Sequence, residues 1–541
     1  MNVLRKIIIN LDNQPTPIDA EKDKRIRLAV STMRKVLGDN RVSLKTDTYE
    51  IATFESNTKV SAIIFPRNTQ EVSACMKIAN QFKISIYPVS GGKNYGLGST
   101  VPNVSDSIIL DLQLMNKISD YNEELAHVTL GAGVSFRQLE QFLEHKGNRL
   151  MMDGIGSTPH ASIVGNAVER GHGMGLYADR LDKVCAMEVV LPDGSIINTG
   201  FGRYRKNKVA QLSKWGLGPS LDGIFTQSSF GIVTGLTLWL KPRPRHFQSI
   251  MIHANTDDKM AMMVDKFRQM RLEGLNVSIR IFNDYRLVAF SRQYHEVKKE
   301  NQDYLTQKDI DTIKPTGTGK WIGIGGLYSY SKLNAKAERE FILDSLKKCD
   351  VVIDFIDKEE ADLRVKENPA AKEDMDFFYY KSSLAGYTTE KAINMCYWRV
   401  PEKIPDQMDI HKDQCGLYWY CPSIPCTGED AVLAAKKITE ISYKYSLEPN
   451  VGFLFISERA LDITGAICFD KRKPEESERA AKCHDEIVES LCELGYPPYR
   501  LGVQSMHFFT QTEVASLDLL GRLKTAIDPN NVLSAKRYST L

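Results

Sequence analysis

With 541 residues, 42% apolar and 26% charged, the chain has an ordinary globular composition, long enough for two or three domains and unlike a disordered or fibrous sequence. Its 70 basic and 68 acidic residues leave a formal net charge of +2, too weak a field to favour nucleic acid or an anionic membrane, so a small-molecule partner is expected. The apolar run in MNVLRKIIIN is too short for a signal-peptide core, no stretch reaches the length of a bilayer span, and ten scattered cysteines suit reduced thiols, so a cytoplasmic location is expected.

In chain order, Ser61–Phe65 reads as a short apolar strand. Asn68 can cap the following helix, with Glu71 at its third position and Val72, Cys75, Met76, Ala79 and Phe82 at helical spacing. A second strand, Ile84–Val89, runs into the glycine loop Ser90–Gly98. Strand, helix, strand and glycine loop suggest a mononucleotide-type site, yet no GxGxxG occurs and no helix clearly follows, so the Rossmann fingerprint is missing. Ser107–Asp111 and His127–Leu130 are further strands, and Phe136–His145 is a helix.

The stretch Ser157–Asp179 holds VGNAVERG and then Gly171, Gly173 and Gly175. Glycines that dense let backbone N–H groups approach a ligand, which suits an extended loop along a cofactor. Ala186–Thr199 is a hairpin turned by Pro192-Asp-Gly194, and a glycine-bearing segment, Gln227–Gly235, leads into the strand Leu236–Leu240. Pro242 and Pro244 mark the domain boundary. Beyond it, amphipathic helices (Met260–Met270, Glu429–Tyr445, Glu475–Leu494) alternate with apolar strands (Gly323–Tyr330, Val451–Ile456), an α+β texture. Lys298–Lys314 reads as a solvated loop or helix face.

Two motifs fail on spacing. His411, Cys415, Cys421 and Cys426 lack the CxxC knuckle and flank what reads as a buried strand, Leu417–Tyr420, so no metal site is expected. Gly317-Thr-Gly-Lys320 is followed by Trp321 where a phosphate loop needs a hydroxyl for magnesium.

Four segments together resemble the vanillyl-alcohol oxidase / p-cresol methylhydroxylase family of flavoproteins: Pro88–Gly98, Val164–Asp179, Leu221–Gly235 and Asp528–Lys536. Pro422–Ala431 and Tyr499-Arg500 sit at matching places, and the resemblance runs from about residue 60 to the end. It implies a two-part FAD-binding domain of the p-cresol methylhydroxylase type, residues 1–246 and 499–541, with an inserted α+β cap over the flavin, residues 247–498. Val89 and the loop of Ser90, Gly91, Gly92, Lys93, Asn94 and Tyr95 would cradle the pyrophosphate with backbone amides. Ser157, Thr158, Ser162, Gly165 and Asn166 would lie along the flavin. Gly231, Ile232 and Val233 would approach the adenine side, and Arg500 and Lys536 complete the cofactor set.

In that family a 4-substituted phenol binds as phenolate, a hydride leaves its benzylic carbon for flavin N5, and the quinone methide adds water or rearranges. The resemblance assigns the phenolate to Tyr499 and Arg500, a phenolic donor beside a permanently charged fork. Three positions depart from the pattern: Leu97 replaces a second phenolate-binding tyrosine, Ser157 an acid beside N5, and Met174 another tyrosine. With Leu417 and Trp419 they imply a more apolar pocket, and a bulkier aromatic substrate or an alkene product that needs no activated water. His160 and His172 flank the site in sequence and could supply a base.

The histidine that carries covalent FAD in vanillyl-alcohol oxidase falls at Leu417, and Tyr418 could replace it only through a one-residue register slip. The glycine-loop histidine of berberine-bridge relatives is replaced by Lys93 or Asn94, so noncovalent FAD is expected. The resemblance also implies a homodimer and allows a cytochrome partner. Two other readings stay open: oxidation of a hydroxy acid or other non-phenolic alcohol, and a flavin-binding subunit whose catalytic set has decayed.

Overall fold

The computed structural model describes residues 17–176 and 178–541; the N-terminal segment read above for a signal peptide lies outside them. The first helix described, Pro17–Leu37, was not anticipated, yet its Ile26, Ala29, Val30, Met33 and Leu37 form a buried stripe at helical spacing. It packs on the helix Thr69–Phe82, whose Asn68 cap accepts from the Glu71 N–H at 2.9 Å as expected. These helices cover a four-stranded sheet ordered Val42–Ser43, Val60–Ile64, Ser107–Asp111, Ile86–Val89, in which the last three strands are parallel. The C-terminal tail joins its edge, the Ile86 N–H donating to Val532 O at 2.7 Å.

A second, antiparallel sheet runs Ile118–Asn122, His127–Gly131, Ile232–Trp239, Val184–Val190, Ile196–Asn198. The strand Ile232–Trp239 starts four residues before the expected one because it is paired on both sides, which lets its backbone stay extended through Gly235. The helix Phe136–His145 carries a full capping box from Ser135 and Gln138.

A seven-stranded antiparallel sheet takes its strands from His246–Ala254 through Ala460–Ile463, with Val277–Asn283 at its centre. The helices Asp257–Leu272, Gly428–Lys444 and Pro474–Glu493 bury Phe267, Ile438 and Ile487 against one face. Its other face looks toward the first two sheets, and the cavity described below opens between them. The segment Lys298–Lys314 is the largely exposed loop and helix face expected: Thr306 caps a helix Gln307–Ile313, and Leu305 and Ile310 anchor it in a core cluster. The ten cysteines are free thiols, nine of them buried. Among the described residues no helix is long and apolar enough to cross a membrane.

Candidate active site

A cavity of about 870 Å³ lies between the seven-stranded sheet and the segments 87–99 and 155–174. One wall is the glycine loop. Among the described residues, none of the N–H groups from Ser90 to Tyr95 meets a protein acceptor, although these residues are at most part-exposed. Gly96, at φ +72°, turns the loop against the Trp419 indole, and the Trp419 backbone N–H donates to Gly96 O at 3.3 Å. Gly165 faces Ser90 so closely that a β-carbon there would stand 2.5 Å from the Ser90 hydroxyl. A row of unclaimed backbone donors suits a ligand bearing phosphate oxygens, which is the demand a dinucleotide makes.

Tyr499 and Arg500 form the far wall. The strand-like pairing of the Tyr499 N–H with Cys421 O (2.9 Å) and the Gln227 amide's bond to Tyr499 O (2.9 Å) pin the backbone. The Tyr499 ring tilts over His172 at 4.6 Å, and burial raises its phenol well above the ordinary value, so the hydroxyl stays protonated and can donate. Burial likewise pushes the neighbouring Cys421 thiol up to about 12. Arg500 Nη2 donates to Asn94 Oδ1 at 2.8 Å, joining this wall to the glycine loop across 406 positions of sequence.

The cavity also holds charged groups that sequence reasoning missed. Glu169, within VGNAVERG, accepts from Arg537 Nη2 at 2.8 Å and lies 3.7 Å from Arg500 Nε. His172, named above as a candidate base, lines the cavity, and its Nε2 is 2.5 Å from the buried Asp462, which sequence reasoning missed. Arg280, mid-strand in Val277–Asn283, points in beside Met174, and burial, together with the nearby Arg286 guanidinium, pulls it down to about 9. An arginine inside an otherwise apolar strand was the available signal.

Of the expected residues, the cavity brings together Tyr499, Arg500, Ser157, Val89–Tyr95, Ser162, Gly165, Asn166, Leu97, Met174 and Trp419. It excludes others. His160 is corrected: the turn closed by the Ala161 N–H to Thr158 O (3.2 Å) throws its side chain outward, 59% exposed and 3.3 Å from Glu390. Thr158 is buried behind that turn. Ile232 and Val233 are paired in the five-stranded sheet, Gly231 immediately precedes that strand, and none of the three lines the cavity. Lys536 is exposed, and its neighbour Arg537 reaches the cavity instead. Leu417 is sealed in a core cluster. The register Leu417↔Cys468 is unbroken, so Tyr418 takes the opposite face, stacked 5.2 Å from Phe54 and 5.5 Å from Phe469.

Comparison with known proteins agrees with this geometry. The profile of an FAD binding domain family matches residues 60–200. The chain is 36% identical over 522 residues to 1'-carboxy-chondrochloren decarboxylase of Chondromyces crocatus, covering 94% of this chain and 96% of that protein. It is 26% identical over 518 residues to the flavoprotein subunit of hydroxylating 4-cresol dehydrogenase of Pseudomonas putida, covering 94% of each. The crystal structure of p-cresol methylhydroxylase with substrate bound matches with a TM-score of 0.86 at 26% identity, covering 95% of this chain and 97% of that one.

Proposed function

The chain belongs to the vanillyl-alcohol oxidase / p-cresol methylhydroxylase family of FAD-dependent oxidoreductases, and from that premise we propose that its hydride donor is a para-substituted phenol or a related aromatic compound held at Tyr499 and Arg500. FAD supplies a two-electron acceptor. The observation that carries the reading is the bond from Arg500 to Asn94, which sets a forked cation and the protonated Tyr499 hydroxyl on the same cavity as the glycine loop. The residues proposed to hold FAD are Ser90–Tyr95 by their amides and Ser162, Gly165 and Asn166 along the second wall.

A phenol gives up a benzylic hydride readily only once its oxygen is deprotonated, so donors that hold the phenolate make the step possible. Tyr499 donates a hydrogen bond and Arg500 a charge-assisted fork. Leu97, Met174 and Trp419 line the cavity with apolar surface, which suits the aromatic body of such a donor. Ser157 offers no carboxylate to activate water, which favours an alkene over an alcohol as product.

Anaerobic mixing with 4-alkylphenols should bleach the flavin, and Tyr499→Phe or Arg500→Ala should slow that step by about a hundredfold. Arg500→Lys should also be slow, since a point charge does not reproduce the fork. Bleaching by 2-hydroxy acids, with phenols inert, would overturn the assignment. We further propose noncovalent FAD, because Leu417 carries no nucleophile and Tyr418 faces away; acid precipitation should leave the yellow colour in the supernatant. The electron acceptor is proposed to be oxygen or, by analogy with 4-cresol dehydrogenase, a cytochrome subunit, which oxygen uptake against cytochrome c reduction separates.

The decarboxylase relative favours a second reading of the same site. Once hydride has left the benzylic carbon, the bond from the adjacent carbon to a carboxylate breaks. Its electron pair becomes the new carbon–carbon double bond, the phenol oxygen recovers its electrons, and carbon dioxide leaves. One carbon dioxide per flavin reduced would mark this course.

A further inference from the structure

The strand Val277–Asn283 turns Ile279 and Ile281 into the core and Arg280 toward the cavity. Antiparallel partners on both sides, Ile324 and Leu454, fix that register, so the guanidinium cannot be withdrawn by a slip of the strand. Among the described residues Arg280 makes one hydrogen bond, Nη2 to Gly173 O at 3.0 Å. Its Nε is buried without an acceptor, and among the described residues no carboxylate lies within ion-pair distance of it.

The second guanidinium nearby, Arg286, is held by neutral acceptors only, Asn450 Oδ1 at 2.7 Å and the Thr464 carbonyl and hydroxyl. Asp153, whose charge reaches Arg280, is ion-paired with Lys241 at 2.5 Å, Glu296 accepts from the Gln293 N–H, and Asp374 is exposed at the cavity's outer end. Glu169 serves Arg537 and Arg500, Asp462 faces His172, and Glu373 pairs with Lys391 at the exposed end. Among the described residues two positive charges therefore line one cavity with no carboxylate ion-paired to either, a costly arrangement unless the ligand brings the counter-charge.

The position of Arg280 says where on the ligand that charge belongs. A β-carbon on Gly156 would come within 3.6 Å of Arg280 Nη1 and 2.9 Å of Met174 Sδ, so the guanidinium borders the chain immediately before Ser157, the residue expected beside the reacting flavin atom. A planar fork with an unused Nε matches a carboxylate better than a single oxygen.

We propose that the substrate carries a carboxylate near its reacting carbon and that Arg280 is the residue that binds it. The proposal rests on the reading that this cavity takes the aromatic hydride donor, and names the chemical class of that donor. It also accounts for a decarboxylase among the relatives without requiring that the carboxylate be lost.

The test is binding to the FAD-loaded protein, measured by calorimetry with two ligand pairs: 3-(4-hydroxyphenyl)propionate against its methyl ester, and 3-phenylpropionate against its methyl ester. The wild type should bind each acid about tenfold or more tightly than its ester, the scale of one charge-assisted fork. Arg280→Gln should bring both ratios to about one while ester binding stays within a factor of about two, and Arg280→Lys should fall between. A wild type without acid preference, or equal ratios in wild type and both variants, overturns the proposal. If Arg280→Gln fails to retain flavin, the wild-type comparison and Arg280→Lys still decide. The phenol-free pair separates the two claims: an Arg280-dependent preference for 3-phenylpropionate that gains nothing from the hydroxyl group, and is unmoved by Tyr499→Phe, sinks the phenol reading and leaves the carboxylate site standing.

Discussion

Single side chains in this protein do work that their neighbours make possible. Tyr499 can donate because burial keeps it protonated, and Arg500 is aimed because Asn94 holds one arm of its fork. Gly165 shows how tight the cofactor wall is. In Gly165→Ala the new β-carbon would press on the Ser90 hydroxyl from 2.5 Å, an overpacking that costs about 1–3 kcal/mol when backbone must move. The purified variant should carry clearly less FAD per chain than wild type, read from the ratio of flavin to protein absorbance. Adding Ser90→Gly should recover part of the loss. Equal flavin content in Gly165→Ala would show that the two segments are not pressed together around the cofactor.

At the scale of elements, the glycine loop is braced by the segment leading into the strand Cys415–Tyr420. His411 Nε2 lies 2.7 Å from Ser99 Oγ, and its ring meets Tyr95 edge-on at 5.0 Å. Burial, aided by Lys93, lowers this histidine to about 4, against 6.5 when unfolded. The unfolded chain thus takes up a proton between those values that the folded chain refuses. Stability should be level above pH 6.5 and fall as pH drops toward about 4, by on the order of 1 kcal/mol per unit. Thermal midpoints across pH 7 to about 4.5 should decline less steeply in His411→Asn than in wild type. Parallel declines would mean that His411 is accessible to protons in the fold.

Across the whole molecule, the C-terminal segment returns to close the site. Arg537, nearly at the C-terminus, is buried and bonded to Glu169 at 2.8 Å and to Leu501 O at 3.2 Å. Burial is the largest single influence and opposes its charge, yet Glu169, Tyr538 and Tyr87 together raise its pKa above the ordinary value. Arg537→Ala leaves Glu169 with only Arg500 at 3.7 Å, and should cost about 3–5 kcal/mol, toward the lower figure because Glu169 is partly exposed. The expected result is a lower thermal midpoint at fixed FAD concentration and faster loss of flavin on dilution. An unchanged midpoint would show that the tail is dispensable. Arg537→Met with Glu169→Gln should recover stability, since it removes both buried charges together.

The sequence was most informative where the physics is local. The Asn68 cap, the Ser135–Phe136 helix start and the turn at Pro192–Gly194 depend on hydrogen bonds spanning a few residues, and each lies where its residues place it. Glycine density marked the Ser90–Gly98 loop that lines the cavity, and the family resemblance pointed to Tyr499-Arg500. What only the tertiary structure decided was which side chains share the cavity. Arg280 and Arg537 reach it and Asp462 stands behind His172, while His160 turns outward and Leu417 is sealed away. The reason is distance along the chain: Asn94 and Arg500 meet across 406 positions, and no spacing rule operates at that range. Which face a strand presents depends on the register of its partners, and that register is set by the packing of whole sheets.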